Sequence, residues 1–428
     1  MPAQLANSRP YPAFHVIAKP SGPICNLDCH YCFYLEKEKL YPGTSQWRMP
    51  PDVLENYVRQ YIAAQDAPQV DFTWQGGEPT LLGLEFFQNV VRLQEKYAYG
   101  RRITNALQTN AVLIDDAWAA FLAQHQFLVG VSIDGPEELH NRFRPFKSGR
   151  GSFAEVLRGL QCLQRAGAEF NTLTAVNSVN SHHPLEVYRF LKEIGSRYLQ
   201  FMPVVERAAA QPTPDGLSLV QPSFAEEAAV TPWSVEPLQY GLFLSAIFDE
   251  WVQHDVARYF VQLFDVALEN WLGLTPALCI FRETCGSALA IEHNGDVYSC
   301  DHFVYPEHRL GNIQQTGLEV LVNSPQQVSF GNNKRDLLPQ YCRTCDVRFA
   351  CHGECPQHRF LHTPDGEYGL NYLCAGYKHF FQHIDPYMKF MAGELREQRP
   401  PANVMTWARS RLRETSAVLP SPAQEERD

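Results

Sequence analysis

Between residues 13 and 206 the chain alternates between β-type and helix-type runs, and this alternation constrains the fold more than any other feature. The β-type runs are His15–Ala18, Gln69–Trp74, Ile103–Gln108, Phe127–Ile133, Phe170–Val176 and Tyr198–Met202. The intervening stretches Pro51–Gln65, Leu84–Tyr97, Asp115–Gln126, Ser152–Ala166 and Pro184–Ile194 place apolar residues three and four apart, as with Phe153, Val156, Leu157, Leu160 and Leu163. Strands that alternate with helices demand right-handed crossovers and a parallel sheet, so the class is α/β. Such a sheet either curls into a partial barrel or lies open, and both forms put the site at the carboxyl ends of the strands. The unusual residues fall there: Gln75-Gly76-Gly77-Glu78-Pro79, Gln108-Thr109-Asn110 and Ser132-Ile133-Asp134-Gly135.

Beyond residue 206 the pattern changes. Residues 207–235, rich in Ala, Pro and Ser without a sustained period, read as a surface excursion. Helices are expected over Pro237–Val256 and Val261–Leu272, and residues 275–390 form a Cys-, Gly- and aromatic-rich region with short strands at best. The expected division is thus 1–12 as an N-terminal extension, 13–236 as the βα unit, 237–274 as linking helices, 275–390 as a Cys-rich domain and 391–428 as a loose polar tail. Of the 428 residues, 36 are Lys or Arg and 47 are Asp or Glu, a net charge of -11 that argues against a nucleic-acid partner. No apolar run approaches the roughly 20 residues of a membrane span, and MPAQLANSRPYPAFHV has no signal-peptide pattern. The expected address is the cytoplasm, where thiols stay reduced. The 12 cysteines therefore need an explanation other than disulfides. All but Cys162, which sits on the apolar face of an expected helix and reads as core, fall into close groups.

Cys25, Cys29 and Cys32 form C-x3-C-x2-C in CNLDCHYC, just after the first strand. Three thiolates on one short loop can hold three irons of a [4Fe-4S] cube and leave the fourth open. Zinc with His30 as a fourth ligand and buried, unliganded thiols are the other readings of this loop alone. Two glycines followed by a carboxylate at a strand end, Gly76-Gly77-Glu78, suit close backbone approach and acceptance from an ammonium. This cysteine spacing, the aromatic residues Tyr31, Phe33 and Tyr34, the GGEP turn and the βα repeat together resemble the radical S-adenosylmethionine (SAM) superfamily. The resemblance implies a partial (β/α)6 barrel whose open iron chelates SAM. It assigns Cys25, Cys29 and Cys32 to that cluster and Tyr31, Gly76, Gly77, Glu78, Ser132, Arg144 and Val205 to SAM, with Arg144 suited to the methionyl carboxylate.

Further cysteines follow as C-x5-C-x14-C (Cys279, Cys285, Cys300) and C-x2-C-x5-C-x3-C (Cys342, Cys345, Cys351, Cys355), with Cys374 after eighteen intervening residues. Eight cysteines suffice for two fully liganded [4Fe-4S] clusters or two all-thiolate zinc sites. With Gly295 between them, the pattern resembles the SPASM extension of radical SAM peptide-modifying enzymes. That resemblance gives Cys279, Cys285, Cys300 and Cys355 to one auxiliary cluster and Cys342, Cys345, Cys351 and Cys374 to the other.

Within that group the segments CNLDCHYCFY, WQGGEP, LQTNA, SIDG and CGSALAIEHNGDVYSCDHF are most similar to the anaerobic sulfatase-maturing enzymes. The resemblance implies three [4Fe-4S] clusters, SAM as co-substrate and oxidation of a Cys or Ser in a sulfatase C/S-x-P-x-R segment to formylglycine. It implies that SAM is split into methionine and a 5′-deoxyadenosyl radical, which takes a hydrogen from the substrate's β-carbon. Asp301, directly after Cys300, becomes the base for the substrate's thiol or hydroxyl, while a turn-capping Asp is the structural alternative. Tyr34 and Gln75 fall near the substrate. The implied partners are an unfolded or nascent sulfatase and a flavodoxin- or ferredoxin-type reductant. A thioether- or carbon–carbon-forming SPASM maturase is the alternative enzyme, and an iron–sulfur electron carrier or zinc scaffold is the non-enzyme alternative.

Overall fold

The computed structural model describes residue 11 and residues 13–418, with side chains through residue 411. The expected N-terminal extension lies outside the described residues apart from Tyr11. The alternation forms as read: β1 (His15–Lys19), α1 (Pro51–Ala64), β2 (Gln69–Trp74), α2 (Leu84–Tyr97), β3 (Arg102–Thr109), α3 (Asp116–Gln124) and β4 (Phe127–Ser132). A short helix α4 (Glu137–Phe143) then precedes α5 (Phe153–Ala166), β5 (Phe170–Val176), α6 (Pro184–Glu193) and β6 (Tyr198–Pro203). Local chemistry sets the ends. Asp115 caps α3 by accepting from Trp118 N at 2.9 Å, and α5 stops at Gly167, whose φ of 69° suits a residue without Cβ. α4 escaped the sequence reading because seven residues are too few to display a helical period.

β1 to β6 lie side by side in parallel, in chain order. The sheet continues on both sides. Beyond β6 it gains β9 (Phe260–Val261), after the hairpin β7 (Arg207–Ala209) and β8 (Ala228–Val230) and the helix α7 (Pro237–His254). Beyond β1 it gains β10 (Ala288–Glu292), β11 (Asp296–Tyr298) and β12 (Arg309–Asn312) from the Cys-rich region. β10 is parallel to β1, with Lys19 opposite Glu292. The order runs from β12 to β9 without closing, which decides for an open, partial barrel. The Cys-rich region is therefore joined to the barrel through the sheet itself.

The excursion is ordered in part. Besides its hairpin, Leu217 and Val220 are buried, Glu36 accepts from Ser218 N at 2.8 Å and Leu219 N at 2.6 Å, and Tyr368 donates to Pro222 O at 2.7 Å. It thus straps the loop after β1 to the Cys-rich region.

Two expectations fail in the C-terminal region. Cys374–Arg396 is one long helix, so the boundary at 390 cuts through an element. The internal Pro386 and the metal-like cysteines concealed its period. It crosses α7 closely: a Cβ on Gly241 would stand 2.3 Å from Gly376 O. The segment after 395 is not a loose tail but a helix over Val404–Val418. Val404 and Ala408 are buried, and Trp407 stacks on Phe390 at 4.9 Å and meets Tyr387 edge-on at 5.5 Å. Trp407→Ala should lower unfolding stability by about 1–3 kcal/mol, read by chemical denaturation. An unchanged midpoint would mean that the terminal helix is not part of the cooperative core. Among the described residues no helix is long and apolar enough to cross a membrane.

Candidate active site

The parallel strands direct their carboxyl ends to one edge of the sheet, and the loops there build the site. After Lys19 the chain turns through Pro20–Ile24 and carries Cys25, Cys29 and Cys32, all half-buried. This loop rests on the turn after β2. Gly77 N donates to Gly22 O and Glu78 N to Ile24 O, both at 2.8 Å. A Cβ on Gly77 would lie 2.1 Å from Ile24 O, so this glycine is needed for the seating of the cysteine loop. Gly76 follows Gln75, whose own N–H continues the sheet to Ala18 O at 2.9 Å. Glu78 is buried and already well supplied with donors. Its Oε1 accepts from Thr80 N (3.0 Å), Thr80 Oγ1 (2.5 Å) and Thr109 Oγ1 (2.8 Å), and its Oε2 accepts from Asn110 N (2.8 Å). Only Oε2 retains room for a further donor. Asn110 Nδ2 in turn donates to Asn26 Oδ1 at 2.7 Å and faces Cys25 Sγ at 3.7 Å.

A second network sits at the ends of β4 and β5. Asp134 accepts from Tyr31 OH at 2.5 Å, from Arg144 Nε at 2.9 Å and from Ala175 N at 3.0 Å. Arg144 is buried, its guanidinium 5.3 Å from the Tyr31 ring centre. Burial opposes its charge, but Asp134 holds its pKa above the ordinary range. Behind it, Ser152 donates to Arg144 O at 2.6 Å and is 3.0 Å from His140 Nε2. Burial pulls His140 down to about 3, which makes it a neutral spacer. Ser132 accepts from Gln108 Nε2 at 3.0 Å. Val204 and Val205 pack on different sides. Val204 is the one that packs with Tyr31 and Ala175 beside Cys29 and Trp233, while Val205 joins the main core. Neighbours in an extended segment face opposite ways, so a one-residue register error exchanges them.

Asp134→Asn should destabilise the protein by about 3–5 kcal/mol, because it leaves the Arg144 cation buried without its counter-ion. Urea unfolding of the purified variant measures this, and a wild-type midpoint would refute the pairing as a structural element.

Asp301 lies on the turn after β11, buried, in an ion pair with the equally buried Lys19. Burial alone would favour the neutral acid, yet Lys19 and then His302 hold it below the ordinary carboxylate range. The same Lys19 ammonium is 4.0 Å from the Tyr34 ring centre. Tyr34 is buried and its hydroxyl donates to Glu292. Lys19, Tyr34, Glu292 and Asp301 therefore form one connected wall between the first cysteine loop and Cys300.

None of the 12 cysteines is paired in a disulfide. Cys25, Cys29 and Cys32 act on one another electrostatically. Cys279, Cys285, Cys300 and Cys355 form a second mutually interacting set. Cys342, Cys345, Cys351 and Cys374 form a third and line one small pocket. Burial raises these thiols, Cys25 and Cys351 to about 12, so only a cationic ligand would keep them as thiolates here. Backbone amides oppose that rise from two residues downstream: Leu27 at Cys25, Tyr34 at Cys32, His302 at Cys300, Val347 at Cys345, Gly353 at Cys351 and Gln357 at Cys355. Among the described residues no three His, Cys, Asp or Glu side chains close on a point that would hold a single ion. A multi-iron cube spreads its ligands around a larger body, and the donor sets suit it better than zinc.

Comparison with known proteins agrees with this chemistry. Residues 20–191 match the radical SAM superfamily and residues 279–346 match an iron–sulfur cluster-binding (SPASM) domain. A serine-type anaerobic sulfatase-maturating enzyme of Bacteroides thetaiotaomicron is 48% identical over 91% of this chain and 94% of its own length. The chain belongs to the anaerobic sulfatase-maturating enzymes. A cysteine-type member from Clostridium perfringens is 33% identical over 90% of this chain and 100% of its own. The solved structure of native anSMEcpe with bound AdoMet superposes with a TM-score of 0.77 at 33% identity, covering 89% of this chain and 99% of that one. The maturase is accordingly a radical SAM enzyme that uses SAM and iron–sulfur clusters.

Sequence reasoning missed three contributors to the maturase's site. Asp134 stands in the SIDG segment, and its signal is a carboxylate at a strand end. Asn110 ends the Gln108-Thr109-Asn110 segment, where nothing local in the chain names its partner. Lys19 gave only a lone charge ending an apolar strand, with nothing nearby in the chain to name its partner.

Proposed function

We propose that this enzyme oxidises a seryl or cysteinyl side chain of a sulfatase segment to formylglycine, with Asp301 as the base. The observation that carries the assignment to Asp301 is its ion pair with Lys19, which keeps a carboxylate charged in a buried position beside Cys300. Cys25, Cys29 and Cys32 would hold the cluster that binds SAM, and the two four-cysteine sets would hold the auxiliary clusters. When bound, SAM and its cluster supply the power to remove a hydrogen atom from an unactivated side-chain carbon. Everything else falls to the chain. Arg144, positioned by Asp134, and the free side of Glu78 Oε2 offer a charge pair suited to the carboxylate and ammonium of SAM's methionyl part. Tyr31, Ala175, Val204 and Trp233 form an apolar wall that excludes water. Tyr34 and Gln75 would face the substrate, whose hydroxyl or thiol would lose its proton to Asp301.

The relatives favour a serine substrate: serine-type members are 48% and 37% identical to this chain, against 33% for the cysteine type. A structure of anSMEcpe with AdoMet and the Cp18Cys peptide, with a TM-score of 0.77 at 32% identity, supports a peptide as the form in which substrate enters. The reductant is a flavodoxin- or ferredoxin-type carrier, and the enzyme works in the cytoplasm before its client folds.

The test is anaerobic incubation of the reconstituted protein with SAM, dithionite and peptides containing S-x-P-x-R or C-x-P-x-R. Mass spectrometry then reads deoxyadenosine and peptide together. Aldehyde formed in step with deoxyadenosine, faster on the serine peptide, is the expected result. SAM cleavage without peptide oxidation would transfer the chain to another peptide-modifying reaction.

A further inference from the structure

Two buried cations lie among the auxiliary cysteines without a carboxylate of their own. Lys334, on the helix Pro325–Asp336, is 1% exposed and donates to Cys279 O at 2.6 Å and Ile280 O at 2.7 Å. Arg359 donates to Gly353 O, Lys334 O, His352 O and Glu354 O at 2.6 to 3.2 Å, clasping the loop that joins Cys351 to Cys355. Carbonyls satisfy the N–H groups but leave each charge without a counter-charge, and a buried unpaired cation is destabilising. The nearby acids are engaged elsewhere. Glu354 accepts from Asn371 at 2.7 Å and pairs with His358 at 2.8 Å, and Asp301 pairs with Lys19. What remains to face Lys334 is sulfur: burial pulls its pKa below the ordinary lysine value, Cys285, Cys279 and Cys355 oppose that pull, and Arg359 and His352 stand on the cationic side. Burial likewise lowers Arg359, against which Cys355, Cys351 and Cys342, drawn from both sets, act together with the His358-paired Glu354.

A cluster ligated by four thiolates is anionic and gains one further negative charge on reduction. A fixed cation beside it stabilises the reduced form more than the oxidised one and raises the potential. We propose that Lys334 is the counter-charge of the auxiliary cluster held by Cys279, Cys285, Cys300 and Cys355, raising that cluster's reduction potential so that it accepts the electron released at the substrate. In this step the substrate-centred radical loses one electron, the cluster gains it, and the heteroatom proton goes to Asp301. The inference rests on the ligand sets assigned above. Iron analysis of the wild-type protein tests those separately, so a shortfall of iron there would count against the cofactor reading and not against Lys334.

The experiment is potentiometric titration of the anaerobically reconstituted full-length protein, followed by electron paramagnetic resonance. Lys334→Gln keeps a donor for the two carbonyls but removes the charge, whereas Lys334→Arg keeps the charge. Lys334→Gln should make reduction of one auxiliary cluster at least tenfold less favourable, 59 mV for one electron. The other auxiliary cluster should be unmoved, and Lys334→Arg should stay near wild type. Full iron with unmoved midpoints in Lys334→Gln would overturn the proposal. Loss of that cluster's iron from Lys334→Gln alone would support it, since the charge would then be required for binding itself. Loss from both variants would reduce Lys334 to a structural clasp and overturn it.

Discussion

Replacing Asp301 by Asn should cut aldehyde formation by about 10²- to 10⁴-fold, the usual range for loss of a general base, while deoxyadenosine continues to form. Asparagine fills the same space on the turn after β11 but cannot take a proton. The substitution also strands the Lys19 ammonium, at about 3–5 kcal/mol for a buried pair broken on one side. A fall in activity could then reflect instability. The double variant Asp301→Asn with Lys19→Met separates the two effects, because it removes both charges and should regain stability without regaining aldehyde. Mass spectrometry of peptide and nucleoside, beside a melting curve, reads both. Wild-type aldehyde yield from Asp301→Asn would remove the residue from the chemistry.

Gly77→Ala should abolish SAM cleavage while sparing the auxiliary clusters. A Cβ at this position would sit 2.1 Å from Ile24 O, a contact with backbone that no side-chain rotation relieves. The loop carrying Cys25, Cys29 and Cys32 must then lift off its seat and lose the bonds from Gly77 N to Gly22 O and Glu78 N to Ile24 O. About four irons per chain, one cube's worth, should be missing on analysis. Spectroscopic signals of the auxiliary clusters should persist, because their cysteines lie on other elements. Full iron content with normal SAM cleavage would show that the loop tolerates the displacement, and would remove Gly77 from its seating role.

These two positions differ in how far they could be read from the chain. The tandem glycines announced close approach, but the partner turned out to be the cysteine loop's own backbone. Asp301 announced itself by following Cys300. Its charge state depended on Lys19, far away in the chain, which meets it because β10 pairs with β1 and brings the Cys-rich region against the first strand. Arg144 was read as a cation for a carboxylate. That it is already anchored by Asp134 and backed by His140 and Ser152 follows only from the folding of α4 against the end of β4. The terminal helix was missed for a related reason. Its polar composition suggests solvent on every side, and only the partners Phe390 and Tyr387 reveal a buried face.

The sequence by itself determined the strand and helix spans of the barrel, the parallel sheet and the three cysteine groups. Each of these is encoded locally: a side-chain period of two or 3.6, a cap, or ligands within one short loop. Only the tertiary structure decided that the auxiliary region extends the same sheet, that Val204 and not Val205 faces Tyr31, and that Lys19 and Asp134 each compensate charge in the interior. Those are relations between residues far apart in the chain. They exist once a buried charge must find its counter-charge, and the partner is chosen by which strand edges pair and which loops meet, information that no local period carries.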